Sequence, residues 1–105
     1  MHIVAGKPAS IVHELITEAV GLGADTIQVE YRDGYEEISV LKGGVGFEIA
    51  RWPSSGRLAV SLRQELHDLR KKRAKATVSG AEYELRTRTY DHFGEEAFEL
   101  RLRRI

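Results

Sequence analysis

The dipeptides Asp33-Gly34 and Gly43-Gly44 each lie between segments whose apolar residues recur at every second position, and this constrains the fold more than any other feature. Tight turns of this kind need positive φ, which glycine tolerates, and they join neighbouring antiparallel strands. Before the first turn, Ile27, Val29 and Tyr31 alternate with Thr26, Gln28 and Glu30. After it, Ile38 and Val40 fall on one side of a second strand, and beyond Gly43-Gly44 a third strand carries Val45, Phe47 and Ile49. A period of two with one apolar side predicts half-buried strands.

The same pattern returns near the end of the chain. Tyr83, Leu85, Thr87 and Thr89 alternate with Glu82, Glu84, Arg86 and Arg88. After a turn from Asp91 to Gly94, Phe98, Leu100 and Leu102 alternate with Glu99, Arg101 and Arg103. A short strand from Ala76 to Ser79 is expected ahead of this pair, returning through a turn at Gly80.

Two helical stretches interrupt the strands. In the first, from Ser10 to Leu22, Val12, Ile16, Ala19 and Val20 share one face, which Ile11, Leu15 and Leu22 widen. Ser10 is placed to cap its start and Gly23 to end it. The second follows the loop Pro53-Ser54-Ser55-Gly56. It repeats Leu58, Leu62, Leu66 and Leu69 and ends on Arg70, Lys71, Lys72 and Arg73. Cations there complement the helix dipole. The order α-βββ-α-βββ predicts an α/β (α+β) fold. Two helices should pack on one face of an antiparallel sheet of five to six strands.

The 105 residues are the size of one domain, taken here as 1–105. Sixteen basic residues balance sixteen acidic ones, which argues against a general nucleic-acid coat but leaves room for a local patch. The absence of cysteine excludes disulfides, thiolate metal sites and a cysteine nucleophile, and fits a reducing compartment. Met1 to Lys7 do not read as a signal peptide, and no apolar stretch approaches the ~18 residues that span a bilayer. The expectation is a cytoplasmic protein with no membrane insertion.

No catalytic residue, cofactor or metal is assigned. Gly43-Gly44-Val45-Gly46 lies between strands rather than before a helix, so it reads as a turn and not a phosphate loop. His2, His13, His67 and His92 have no metal-ligand spacing, and no serine lies in a nucleophile elbow. The strand carboxylates alternate beside arginines, as cross-strand ion pairs do. The basic run from Arg70 to Lys75, with Arg70, Lys71, Lys72 and Arg73 at its head, admits two readings: a solvated helix end, or a contact for phosphate or another anion. Arg86 and Arg88, on a face shared with Arg101, Arg103, Glu82, Glu84 and Glu99, admit the same two.

The order of motifs resembles the N-terminal domain that precedes the motor in bacterial type II secretion and type IV pilus assembly ATPases. The helix from Ile11 to Leu22 leads into Ala24-Asp25-Thr26-Ile27-Gln28-Val29-Glu30, and then come Gly43-Gly44-Val45-Gly46-Phe47-Glu48-Ile49. The stretch Leu85-Arg86-Thr87-Arg88-Thr89 is similar to that family's L-R-V-S-T. Phe93-Gly94-Glu95 with Leu100-Arg101 is similar to its F-G-E and L-R. The resemblance covers most of the chain. It implies a PAS-like module whose arginines, matching Arg73 and Arg86, reach toward nucleotide on a neighbouring motor. The family's P-Q-D-G is here Leu69-Arg70-Lys71-Lys72, and its Asp-His pair is Thr26 and Gln28. The opening Pro8-Ala9-Ser10-Ile11-Val12-His13-Glu14-Leu15 is also similar to the start of mismatch-repair ATPases. Thr17 and Glu18 stand there in place of the Glu and Asn that such chemistry needs, so the likeness is one of helix-to-strand grammar.

The sequence thus points to a non-catalytic interaction or assembly module. Its expected partner is a secretion or pilus ATPase, a membrane-complex component, or a second copy of itself. The alternative is a phosphate or nucleic-acid binder using Arg70, Lys71, Lys72, Arg73 and Arg86, with Arg88 beside them.

Overall fold

The computed structural model describes residues 10–105. The reading of Met1 to Lys7, with His2 and Pro8, lies outside the described residues. The elements follow the expected order: α1 (Ile11–Gly21), β1 (Thr26–Arg32), β2 (Tyr35–Lys42), β3 (Val45–Pro53), α2 (Arg57–Leu69), β4 (Ala74–Val78), β5 (Ala81–His92) and β6 (Glu95–Arg104). All six strands form one antiparallel sheet in the order β3-β2-β1-β6-β5-β4. The sheet is two hairpin-linked halves joined where the first strand meets the last.

Local chemistry explains both ends of α1. The Ser10 hydroxyl accepts the His13 amide at 3.0 Å, which satisfies one free donor of the first turn. At the other end Gly23 adopts φ 75°. Its amide donates to the Val20 carbonyl at 3.0 Å, and the Ala24 amide donates to that of Ala19 at 2.9 Å. This pairing is the Schellman closure that a left-handed glycine permits. The four hairpins each turn through two residues of positive φ, the type whose twist matches that of the strands.

The core lies on one face of the sheet. Val12, Ile16 and Ala19 of α1 and Leu62 and Leu66 of α2 are buried, as the helical spacing predicts. They meet Ile27, Val29, Ile38, Val40, Phe98 and Leu100 from the central strands. The void left between helices and strands is about 10 Å³, no more than one water fills, so the packing is close to that of a crystal. The Ser54 hydroxyl donates to Glu36 at 2.6 Å and Arg63 approaches the same carboxylate at 3.1 Å. These bonds fasten α2 and the loop before it to β2.

Three expectations are corrected. Val45 and Phe47 are 70% and 44% exposed rather than part of an apolar face with Ile49. Phe47 faces the buried Val40 and so keeps the core side, but Val45 and Phe47 both lie on the edge strand β3, where nothing among the described residues covers them. Ile49 parts from them because Ser39 faces Glu48 while Ile38 faces Ala50, which makes Ile49 an inserted bulge residue. The bulge reverses the alternation, and Ala50 and Trp52 take the inward positions beyond it. Leu22 and Leu58, placed on packed faces by helical spacing, are exposed. Leu22 is the C-cap residue past the end of α1. In the first turn of α2 the buried position is taken by Ala59, in line with Leu62 and Leu66, which leaves Leu58 to the side. The short strand begins at Ala74 rather than Ala76, and Ser79 belongs to the following turn.

Candidate functional site: a basic corner at a step in the sheet

The helices cover one sheet face, and the alternating polar residues of the strands line the other. Cross-strand register pairs opposite charges there directly: Glu37 with Arg51, Glu84 with Arg103, Arg88 with Glu99. The closest approaches are 2.7, 3.0 and 2.6 Å. The short bond from Arg88 holds the Glu99 carboxyl below the usual carboxylate range, against the burial that would raise it. Nearby, Tyr90 donates to Glu30 at 2.5 Å, and burial followed by that bond pushes its phenol well above its ordinary value.

The six predicted site residues separate into two groups. Arg88 is committed to Glu99. Arg70 caps α2, donates to the Thr89 hydroxyl at 3.4 Å and lies 3.9 Å from Glu96. Lys71, Lys72 and Arg73 form the exposed turn into β4, and Arg86 stands exposed on β5. These four have no acidic partner within 4.0 Å among the described residues. Arg86 faces Arg101 directly across the strands. Arg101 lies 3.5 Å from Glu99, so Arg86 is the cation of this like-charge pair left without an acid within reach among the described residues.

Arg73 and Arg86 line one concavity of about 500 Å³, together with Lys71, Lys72, Glu84 and Thr87. Glu84 is the acid placed to neutralise them, and Arg103 holds it at 3.0 Å. The corner therefore keeps a surplus of positive charge. Its lining contains no aromatic side chain among the described residues.

Sequence reasoning missed the backbone of this corner. β4 pairs only with Ala81–Leu85 of β5, whereas β5 continues to His92. From Arg86 onward the outer edge of β5 has no neighbouring strand, and the basic turn stands at that step. Strand lengths would have signalled it, but the alternation in β4 is too short to fix its start.

Among the described residues, no group of His, Asp and Glu side chains converges as a metal site. No helix of the described residues is long and apolar enough to cross a membrane. Comparison with known proteins finds no matching family model and no matching curated protein.

Proposed function

We propose that this chain is a non-catalytic interaction module of the cytoplasm. In this reading it meets an anionic group on a protein partner through Arg73 and Arg86. One observation carries it: both guanidiniums line a single concavity whose only acid among the described residues is already held by Arg103. Planar, permanently charged forks suit carboxylate or phosphate. Among the described residues the corner holds no aromatic platform, which favours a protein over single-stranded nucleic acid, whose bases would need a surface for stacking. The resemblance to the domain ahead of secretion and pilus motors makes such an ATPase, or a component of its membrane complex, the first partner to test.

The test is charge reversal. Arg73→Glu/Arg86→Glu should abolish binding to the purified motor ATPases of the same cell and capture of partners from its lysate. Circular dichroism and melting temperature should stay near those of the parent, because both side chains are exposed. A double variant that keeps its partners would sink the reading.

A further inference from the structure

The step in the sheet names the kind of segment the corner receives. Each β5 residue from Arg86 to His92 pairs with β6 on one side only. The two-residue turn at Phe93-Gly94 makes His92 and Glu95 the first hydrogen-bonded pair, so Tyr90, Arg88 and Arg86 bond toward β6. Thr87 and Thr89 lie between them and direct their N–H and C=O groups outward. Among the described residues neither backbone has a partner across that edge. This is a short length of unpaired strand, about 20 Å long at the usual rise. At its head stand Lys71, Lys72 and Arg73, and along it lies the free Arg86.

Unpaired edges invite a further strand, and natural sheets guard them with cations. The guard here is selective. A second copy of the same edge would set arginines against arginines, which the cross-strand rule disfavours. An acidic strand meets the opposite case. Its main chain would bond to Thr87 and Thr89. Carboxylates on its open-face side would lie beside Arg86, and its end would abut the basic turn in line with β4. Main-chain bonds supply affinity in this mode and side chains supply choice.

We infer that the free edge of β5 at Thr87 and Thr89 binds an extended acidic segment of the partner as a seventh strand. This rests on the reading of the basic corner given above and specifies what occupies it.

The probe is a short synthetic peptide alternating glutamate and valine, followed by fluorescence anisotropy and by hydrogen exchange of the whole protein. The peptide should bind, weaken as salt rises, and slow exchange of the Thr87 and Thr89 amides. Methylating alternate backbone nitrogens of the peptide should abolish binding, because its charge is kept while its edge is lost. Arg86→Glu should weaken binding about tenfold or more. Absence of binding by the parent peptide overturns the inference. So does equal binding of the methylated peptide; if Arg73→Glu/Arg86→Glu still blocks that binding, the corner reads charge alone and the functional reading survives. Binding that ignores the double reversal removes the corner as the site. A single-stranded oligonucleotide that binds more tightly than the peptide makes nucleic acid the ligand and also overturns it.

Discussion

Glu65 on α2 closes the start of α1, and removing it should cost the domain about 2 kcal/mol. One carboxylate oxygen accepts the Ser10 hydroxyl at 2.7 Å and the Val12 amide at 3.1 Å, and the other accepts the Ile11 amide at 3.1 Å. These amides belong to the first turn of α1, where no intrahelical acceptor exists. A hydrogen bond to a charged group contributes about 1.5–3 kcal/mol net when well buried. Three bonds share one carboxylate here and Glu65 is only half-buried, so the sum stays near the value for a single bond. Attraction to the helix dipole adds about 0.3–1 kcal/mol, and the higher helix propensity of alanine at position 65 returns a few tenths. Glu65→Ala should therefore lower the melting temperature by roughly 8–16 °C for a domain of this size. Glu65→Gln, which keeps one acceptor oxygen, should lose about half as much. Ser10→Ala alone should cost about 1 kcal/mol. The double variant should fall short of the sum, because both changes remove the Ser10–Glu65 bond. Urea unfolding of the four proteins measures all of this. A loss below about 0.5 kcal/mol for Glu65→Ala, or strict additivity with Ser10→Ala, would refute the reasoning.

Phe93 sits in the β5–β6 turn at φ 51° with 92% of its surface exposed. A left-handed aromatic residue carries strain that asparagine does not, and its edge contact with His92 is slight compensation. Phe93→Asn should raise stability by about 0.5–1 kcal/mol, read as a higher urea midpoint; a lower midpoint would show that the ring packs usefully. Glu99 supplies a pH signature. Its folded pKa is lowered, chiefly by the Arg88 bond, so the folded state holds the proton less tightly than the unfolded chain. The stabilisation is present above the ordinary carboxyl value of about 4.3 and is lost as pH falls through the lower folded value. In Arg88→Gln the Glu99 carboxyl should titrate closer to normal by ¹³C NMR, and the acid limb of the stability curve should flatten by that residue's share. An unchanged Glu99 titration would assign the shift to another cause.

Most of the fold was legible because two periodicities meet at clear punctuation. Asp33-Gly34 and Gly43-Gly44 fixed two hairpins, and the helical spacing of Val12, Ile16, Leu62 and Leu66 found residues that are buried. The failures have physical causes. Alternation assumes an unbroken ladder and a covered face. Val45 and Phe47 lie ahead of the bulge at Ile49 on an edge strand, and the helices do not cover them. Leu22 stands past the end of α1, and Leu58 gives way to Ala59 as the buried residue of the first turn of α2, a one-position rotation that a four-leucine repeat does not reveal. Glu65 illustrates a different limit: its partners are more than fifty residues away in sequence, and nothing local distinguishes it from a solvated glutamate.

The candidate site divides along the same line. Composition and spacing located the cations, and only the resemblance singled out Arg73 and Arg86 among them. Whether each charge was free depended on register, which pattern alone leaves open. A one-residue slip of β6 against β5 would move Arg103 to the helix face, releasing Glu84 to Arg73 and Arg86 and cancelling the corner. The observed register does the opposite: Arg103 takes Glu84, Glu99 takes Arg88, and Arg86 is left facing Arg101. The same register decides which amides of β5 point outward once β4 has ended. The pairing of β5 with β6 thus sets the surplus charge, and the short β4, whose pairing stops at Leu85, leaves the outward amides beside it without a partner among the described residues. This coincidence is why the corner and the free edge are read as parts of a single surface.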